Sequence, residues 1–208
     1  MGDPKELVKN ARWLGHASVM VKGSKTVYVD PWEVDATDPA DVILVTHDHY
    51  DHLSPPDIAK LARTGTAIVA TAPCRAKLNW AITLVEPGSR VTVNGVEVEA
   101  VPSYNPGKQF HPRNAGNVGY VFTVDGVRWY HAGDTDLIPE MKDIRADVAF
   151  LPVGGTYTMT AEEAAKAAAT MHVQVVVPMH YAKIVGSAED AERFAKLCSV
   201  PVVILEKT

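Results

Sequence analysis

The hydrophobic positions of this chain fall into short runs separated by turn residues, a pattern typical of β-strands. Residues 42–46 form a continuous apolar run of strand length, which predicts a strand buried on both faces. Shorter apolar or alternating runs predict the remaining strands. The predicted strands are residues 11–14, 19–22, 26–29, 42–46, 67–70, 82–85, 90–93, 96–99, 120–124, 127–130, 148–153, 173–177 and 202–205.

Three turn signals join neighbouring strands into hairpins. Asn94-Gly95 is the strongest of them, because both central positions of a tight hairpin turn need positive φ, which Asn and Gly tolerate. Gly23-Ser24 and Asp125-Gly126 separate two further pairs of strands. The chain therefore contains antiparallel segments beside its buried strands.

Helix signals lie between the strands. Ser54 is the predicted N-cap of a helix with Pro55 at its first position, and Thr64-Gly65 is its predicted end. Residues 160–163 read Thr-Ala-Glu-Glu, a capping box ahead of an alanine-rich helix. Residues 187–198 predict the last helix. Strands with separated helices indicate an α/β or α+β fold.

Composition limits the class of protein. A chain of 208 residues with 47% hydrophobic residues can bury one sizeable core, so we expect a single domain over residues 1–208. The net charge of -5 and the pI of about 5.9 argue against a broad basic surface for nucleic acid. Cys74 and Cys198 indicate neither a disulfide framework nor a thiolate zinc site. Without an apolar signal segment or membrane span, we expect a soluble, cytoplasmic protein.

The most informative polar cluster directly follows the apolar run. His47, His49, Asp51 and His52 lie within six residues, and imidazole and carboxylate ligands suit zinc, iron or manganese. His47 and His49 project from one face of an extended segment, whereas Asp51 and His52 lie past the turn. We therefore expect two neighbouring metal ions. The alternative is a polar loop whose histidines cap a helix or bond to the backbone.

Residues 46–52, which read THDHYDH, resemble the HxHxDH signature of the metallo-β-lactamase superfamily of metal-dependent hydrolases. As in that superfamily, Gly133-Asp134-Thr135 and then His180 follow later predicted strands. Gly15-His16-Ala17-Ser18 and Asp30-Pro31-Trp32 make the chain similar to the compact branch that contains uncharacterised small hydrolases and ascorbate-6-phosphate lactonase. The resemblance implies an α+β fold, the four-layer αββα metallo-β-lactamase sandwich, with its site where the two sheets meet.

The resemblance also implies a dinuclear set of metal ligands. They are His47, His49 and His111 for the first ion, Asp51, His52 and His180 for the second, and Asp134 as the bridge. His111 lies in a loop rich in proline and glycine rather than at a strand end. A surface histidine or a substrate contact is therefore the alternative for that residue.

Two neighbouring divalent ions imply hydrolysis by a metal-bridging hydroxide, because a bridging water loses a proton near neutral pH. Asp51 would bind the second ion and help to align the water or accept its proton, which makes it the predicted catalytic residue. Zinc is the expected ion, and manganese, nickel and iron are the alternatives. A di-iron redox enzyme and a non-catalytic metal-binding protein are the competing functions. His49 favours the hydrolase, since di-iron relatives usually carry a carboxylate in place of one histidine.

We expect a small-molecule substrate with an ester-type bond, a phosphoester or a lactone. The loop residues predicted to contact it are His16, Tyr50, Asn105, Lys108, Tyr157 and Tyr181. A cation such as Lys108 beside the metal ions favours an anionic substrate. No long insertion resembles the arm with which the superfamily's tRNA-processing nucleases grip tRNA, so we expect no nucleic-acid partner and no membrane partner. The sequence leaves open whether the protein is a homo-oligomer.

Overall fold

Two six-stranded β-sheets form the centre of the structure, a computed structural model that describes residues 3–35 and 38–208. The strands follow one another in chain order, β1 to β6 across the first sheet and β7 to β12 across the second. Their bounds are β1 (Ala11–Gly15), β2 (Ser18–Lys22), β3 (Thr26–Val29), β4 (Val42–Val45), β5 (Ala67–Thr71), β6 (Ile82–Val85), β7 (Arg90–Val93), β8 (Val96–Pro102), β9 (Val118–Val124), β10 (Val127–His131), β11 (Val148–Pro152) and β12 (Val175–Met179).

Both sheets begin as antiparallel meanders and continue as parallel strands. In the first sheet, β1 to β3 are antiparallel and β3 to β6 are parallel. In the second sheet, β7 to β10 are antiparallel and β10 to β12 are parallel. Parallel neighbours need a crossover connection, and helices lie in two of these crossovers. The carboxyl ends of the parallel strands within each sheet therefore share an edge.

The described residues contain four α-helices, α1 (Pro4–Val8), α2 (Pro55–Leu61), α3 (Ala161–Thr170) and α4 (Ala188–Leu197). Ile58 and Leu61 of α2 pack on the outer face of the first sheet. Helices α3 and α4 contact each other and bury residues such as Ala164 and Phe194 beside the second sheet. These layers confirm the expected αββα sandwich. No helix in the described part of the chain is long and apolar enough to cross a membrane.

The position of strand β4 between two hydrophobic cores explains why all four of its residues are apolar. Val42 and Leu44 belong to the core between the two sheets, and Ile43 and Val45 belong to the core beneath α2. All four side chains are completely buried. Because successive strand side chains point to opposite faces, a strand between two cores must be apolar at every position.

Local signals in the sequence are confirmed at turns and helix caps. Asn94 and Gly95, in the turn between β7 and β8, have φ values of 49° and 83°. The Ser54 side chain caps α2 by accepting a backbone amide of the first turn. Thr160 and Glu163 form the reciprocal capping box at the start of α3. These features depend on neighbouring residues alone, which is why the sequence predicts them well.

The predicted end of α2 at Thr64-Gly65 is wrong, because the helix ends at Leu61. Ala62 already has an extended backbone with ψ of 140°, and its amide donates the last helical hydrogen bond to the Ile58 carbonyl. The Leu61 carbonyl instead accepts the Ala40 amide at 2.9 Å. A tertiary hydrogen bond thus replaces the final turn that the sequence suggested.

The predicted strand over residues 202–205 is also wrong. Val202 forms an isolated parallel bridge with Val176 of β12. The Val176 amide donates to the Pro201 carbonyl at 2.9 Å, and the Val203 amide donates to the Val176 carbonyl at 3.0 Å. The apolar segment therefore touches the edge of the second sheet around a single residue of β12 instead of continuing along it.

Tyr120 joins the two sheets through a buried hydroxyl group. Its side chain extends from β9, and the hydroxyl donates to the Val45 carbonyl at 2.8 Å and lies 3.4 Å from the Val69 carbonyl. Burial raises the pKa of this phenol well above its usual value, so the group stays a neutral donor. Val45 is the last residue of β4, and the bond therefore fixes the point from which the histidine-rich segment departs.

Replacing Tyr120 with phenylalanine should lower the free energy of unfolding by about 1 kcal/mol, because the buried Val45 carbonyl loses its donor across the sheets. Urea unfolding followed by circular dichroism measures this change. The matched control is Tyr157→Phe at a side chain that is 39% exposed, where we expect a change below about 0.5 kcal/mol. Equal effects of the two substitutions would contradict the role of the Tyr120 hydroxyl.

Candidate metal centre

Histidine and aspartate side chains from both sheets meet at the edge where strands end. They are His16 after β1, Asp30 after β3, residues 47–52 after β4, His111 after β8, Asp134 after β10 and His180 after β12. Strand β12 spans Val175–Met179 rather than the predicted 173–177, so His180 follows it directly. The structure thus brings all seven predicted ligands into one region.

Three imidazoles form the first cluster. His47 Nε2 lies 3.1 Å from His49 Nδ1, and His111 Nε2 lies 3.0 Å from the same His49 nitrogen. One nitrogen of each ring lies within 4.8 Å of the others, a spacing that could hold a metal ion. The loop histidine His111 therefore joins the strand-end histidines, and the alternative that it lies on the surface is wrong, since it is buried.

A mixed cluster lies beside the first. Its ligand-type atoms belong to His16, Asp51, His52 and His180, all within 4.8 Å of one another. The Asp134 carboxylate stands between the two clusters, with Oδ1 3.2 Å from His52 Nε2 and Oδ2 3.1 Å from His180 Nε2. Asp134 Oδ2 is also 3.6 Å from His111 Nε2 in the first cluster. One carboxylate therefore faces both groups of imidazoles.

Several of these buried atoms have no hydrogen-bond partner among the described residues. They include His52 Nε2, Asp134 Oδ1 and both ring nitrogens of His180. The His52 and Asp134 atoms are close, but they are not aligned for a hydrogen bond. A buried polar group without a partner costs about 1–3 kcal/mol, and a divalent ion would satisfy several such groups at once. The donor set of imidazole and carboxylate fits zinc, manganese, nickel or iron.

Asp30 orients two of the imidazoles. Its Oδ2 accepts from His52 Nδ1 at 2.7 Å and from the Thr46 hydroxyl at 2.6 Å, and its Oδ1 accepts the Thr46 amide at 2.8 Å. Since the Thr46 hydroxyl donates to Asp30, it accepts from His47 Nδ1, 3.0 Å away. Both Nδ1 atoms then carry protons, and the Nε2 atoms present lone pairs to the centre. Such outer carboxylates fix the tautomer and direction of metal ligands.

His111 is fixed in the same way by Asn105. The Asn105 side-chain oxygen lies 2.6 Å from His111 Nδ1, and the Asn105 backbone amide donates to the His111 carbonyl at 2.9 Å. An amide oxygen can only accept, so the ring proton is on Nδ1 and Nε2 faces the cluster. Asn105 therefore acts on a histidine of the centre and does not line the pocket.

His16 positions the opposite side of the centre. Its Nε2 lies 3.0 Å from Asp51 Oδ2, and its ring is tilted against that of His180 with centroids 3.9 Å apart. The His16 carbonyl accepts the His180 amide at 2.8 Å and the Trp13 indole N–H at 2.8 Å. This turn residue, buried at the end of β1, thus contacts both Asp51 and His180.

The pKa values of His47, His111 and Asp134 favour the ionisation states that bind metal, whereas that of His52 favours the protonated imidazole. Burial lowers the pKa of His111 to about 4 and lowers that of His47 well below its usual value. Burial opposes ionisation of Asp134, but the neighbouring His180 and His52 hold the pKa of its carboxyl well below the usual range. Burial also opposes charge on His52, whose pKa is nevertheless raised by Asp134 and Asp30. Without an ion, His52 therefore carries the balancing positive charge.

Four residues of the centre have left-handed backbone conformations that side chains other than glycine rarely adopt. They are His16, Asp30, His111 and His180, with φ between 48° and 57°. Each such residue costs roughly 1–3 kcal/mol and persists only where surrounding contacts hold it, which is common at functional sites. The hydrogen bonds of these residues supply that restraint.

A pocket of about 240 Å³ opens over the two clusters. It is lined by His49, Tyr50, Asp51, Phe110, His111, Asp134, Tyr157, His180 and Ile184. Of the six residues predicted to contact a substrate, the structure brings Tyr50 and Tyr157 to this wall. Phe110 and Ile184 were not predicted, because isolated apolar residues in loops carry no periodic signal.

The other four predicted contacts lie outside the pocket lining. His16 and Asn105 hold ligand side chains, as described above. The Lys108 ammonium donates to Asp136 at 2.6 Å and to the Thr158 carbonyl at 2.7 Å. Tyr181 is buried and stacks on Trp13 with ring centroids 4.6 Å apart. Lys108 therefore does not supply the pocket cation from which an anionic substrate was inferred.

The orienting role of Asp30 and Thr46 was also missed by sequence reasoning. The sequence motifs that contain Asp30 and Thr46 do not by themselves indicate which histidines these two residues hold. One sequence signal for Asp30 was its position directly after a predicted strand. His47 likewise lies within two residues of the end of β4. A polar threonine at the end of an otherwise apolar run was the second signal.

A two-sheet sandwich with this histidine and aspartate cluster at its edge is the arrangement of the metallo-β-lactamase fold. The family model described as a beta-lactamase superfamily domain matches residues 10–180. A UPF0173 metal-dependent hydrolase from Thermococcus onnurineus is 38% identical in an alignment of length 215 that covers 94% of this chain and 95% of that protein. Another from Methanoculleus marisnigri is 37% identical in an alignment of length 194 that covers 88% of this chain and 86% of that one.

Solved structures with the same fold support this family assignment. A protein from Parabacteroides distasonis, provisionally named a metal-dependent hydrolase, has a TM-score of 0.84 at 36% identity, covering 94% of this chain and 92% of that one. A metallo hydrolase from Ignicoccus hospitalis shares the fold, with a TM-score of 0.77 at 24% identity over 95% of this chain and 94% of that one. The chain belongs to the beta-lactamase superfamily, and it is a metal-dependent hydrolase.

Replacing Asp30 with asparagine should weaken metal binding by about 10–100-fold, because the amide has a single acceptor atom and its NH₂ group must then face either the Thr46 backbone amide or the pair of donors formed by His52 Nδ1 and the Thr46 hydroxyl. Competition of the purified protein with a chromophoric chelator for zinc measures the affinity. The control is Asp143→Asn at an exposed position, for which we expect no change. Equal zinc affinity in the Asp30 variant would contradict the orienting role.

Proposed function

We propose that the protein hydrolyses an ester-type bond of a small molecule at a dinuclear metal centre. His47, His49 and His111 would hold one ion, and Asp51, His52 and His180 the other. The observation that carries the proposal is the Asp134 carboxylate, whose oxygens lie 3.1–3.6 Å from imidazoles of both clusters. Two bound divalent ions would supply a water of lowered pKa and polarise the bond under attack.

The chain's own residues prepare the site for that reaction. Asp51 lines the pocket, and its Oδ2 is held by His16 Nε2 at 3.0 Å. Burial opposes ionisation of Asp51, but the hydrogen bond from His16 lowers the pKa of the carboxyl below its usual value. Asp51 is therefore ionised at neutral pH and can orient the attacking water or accept its proton. It is our candidate catalytic residue.

The pocket supports a small substrate. Its volume of about 240 Å³ is below the roughly 300–1,000 Å³ typical of sites for drug-sized ligands. A phosphoester or a lactone would place its reacting group over Asp51 and Asp134. We expect zinc, because imidazole-rich sites suit it, while manganese, nickel and iron use the same ligands.

Elemental analysis tests the dinuclear centre directly. We expect about two metal ions per chain in the protein as it is, and about one fewer in His111→Ala, because that substitution removes one of three imidazoles from the first cluster. The control is His172→Ala, at an exposed histidine that follows α3, for which the metal content should not change. Unchanged metal in the His111 variant would remove that residue from the ligand set.

Hydrolysis tests the reaction class. The zinc- or manganese-loaded protein should cleave at least one of three substrates, a 4-nitrophenyl carboxylic ester, bis(4-nitrophenyl) phosphate and a γ-lactone. Asp134→Asn should lose more than about a hundredfold in kcat/KM, more than removal of an outer partner of a ligand usually costs. Turnover of none of them by a protein that binds two ions would contradict the proposed ester cleavage.

A further inference from the structure

The rim of the pocket is apolar and exposed. Tyr50, Phe110, Tyr157 and Ile184, which we call the collar, line the opening above the metal centre. Their exposed fractions are 67%, 45%, 39% and 39%. Water-exposed apolar side chains gathered around a concave site usually mark a surface that binds an apolar group.

The exposed large hydrophobic side chains are concentrated at the opening of this pocket. Among the described residues, seven large hydrophobic side chains are exposed, and the four of the collar are among them. The other three are Leu84, Leu197 and Ile204, and none of them lines the pocket. Single exposed hydrophobic residues are common on protein surfaces, but four around one opening are not expected by chance scatter.

The fold assembles the collar from four separate loops. Tyr50 lies between β4 and α2, Phe110 between β8 and β9, Tyr157 between β11 and α3, and Ile184 between β12 and α4. Phe110 and Tyr157 meet edge to face with ring centroids 5.6 Å apart, and Phe110 lies 6.1 Å from the ring of His49. The apolar surface is therefore continuous with a side chain of the first cluster.

As far as the structure describes the rim of this opening, it carries no permanently charged cationic side chain. No lysine or arginine occurs among the described residues that line the pocket. The nearby cations are paired elsewhere, Lys77 with Asp48 at 2.7 Å and Lys183 with Glu33 at 2.6 Å. Lys108 is likewise occupied by Asp136, as shown above. An anionic group on the distal part of a substrate would find no partner at the rim.

We infer that the collar binds an uncharged aliphatic or aromatic group, so that the substrate class is a neutral ester or lactone with an apolar substituent. This inference rests on the proposed ester hydrolysis and replaces the anionic substrate that the sequence suggested. The ester group lies over the metal centre, and the apolar substituent packs among Tyr50, Phe110, Tyr157 and Ile184. Burial of that substituent favours long acyl chains over short ones.

A series of 4-nitrophenyl esters with straight acyl chains of two to eight carbons tests the inference on the metal-loaded protein. We expect kcat/KM to rise about two- to fourfold per added methylene until the collar is filled, as burial of a methylene predicts. The mono-4-nitrophenyl ester of adipic acid carries a carboxylate at the end of a six-carbon chain. It should be at least about tenfold poorer than the hexanoate ester, because burying an unpaired charge is costly.

Matched variants assign the effect to the collar. Ile184→Ser and Ile204→Ser make the same substitution at side chains of similar exposure, 39% and 43%. Only Ile184→Ser should flatten the dependence of kcat/KM on chain length, whereas Ile204→Ser should keep the slope of the unsubstituted protein. A flat series in the unsubstituted protein, equal slopes in the two variants, or preference for the adipate ester would overturn the inference.

A binding measurement separates this inference from the proposed function. Saturation-transfer NMR with hexanamide, which is neutral and resists cleavage, should show contact at its aliphatic protons, and Phe110→Ser should lose this signal while Leu84→Ser keeps it. If hexanamide binds in this way but no ester is cleaved, the ester hydrolysis fails and the apolar subsite stands. If esters are cleaved but the Phe110 and Leu84 variants bind hexanamide equally, the collar is overturned and the hydrolysis stands.

Discussion

The buried carboxylate of Asp30 is the interaction on which the rest of the centre depends. It accepts hydrogen bonds from the His52 imidazole and from the backbone amide and the hydroxyl of Thr46. The Thr46 hydroxyl in turn accepts a hydrogen bond from His47 Nδ1. One carboxylate thereby sets the tautomer and direction of an imidazole in each cluster. Because Asp30 directly follows β3 and Thr46 directly follows β4, the pairing of these two parallel strands builds the centre into the first sheet.

The site combines two environments that favour different parts of a substrate. At its base, buried imidazoles and carboxylates include nitrogen and oxygen atoms without a hydrogen-bond partner among the described residues, an arrangement suited to metal ions. At its rim, four apolar side chains from four loops remain exposed. In the reaction proposed above, the base would cleave the bond and the rim would select among substrates. Loops can vary without disturbing a centre held by strand ends, so the two properties are structurally separable.

Sequence reasoning succeeded where the signal was local or periodic, and it failed where a distant contact decided the outcome. The Asn94-Gly95 hairpin and the Thr160 capping box depend on adjacent residues and are confirmed. The end of α2 and the last predicted strand were wrong, because tertiary hydrogen bonds interrupt otherwise reasonable patterns. Lys108, which the sequence suggested as a cation beside the substrate, does not line the pocket for the same reason. Its ammonium is paired with Asp136, 28 residues away.

The sequence by itself determined where most of the apolar strands lie and which residue types form the candidate metal centre, because buried strands and clustered ligands leave patterns within short windows. The pattern alone indicated an α/β or α+β fold, and the resemblance of the motifs to a known family supplied the sandwich. The resemblance suggested His111 and Asp134, but only the tertiary structure placed His111 beside His49, 62 residues away, and the Asp134 carboxylate within 3.6 Å of imidazoles from both clusters. The tertiary structure alone decided that four unrelated loops form one apolar rim. Side chains far apart in the chain meet only when the strands have paired, and no local pattern records which loop ends will coincide.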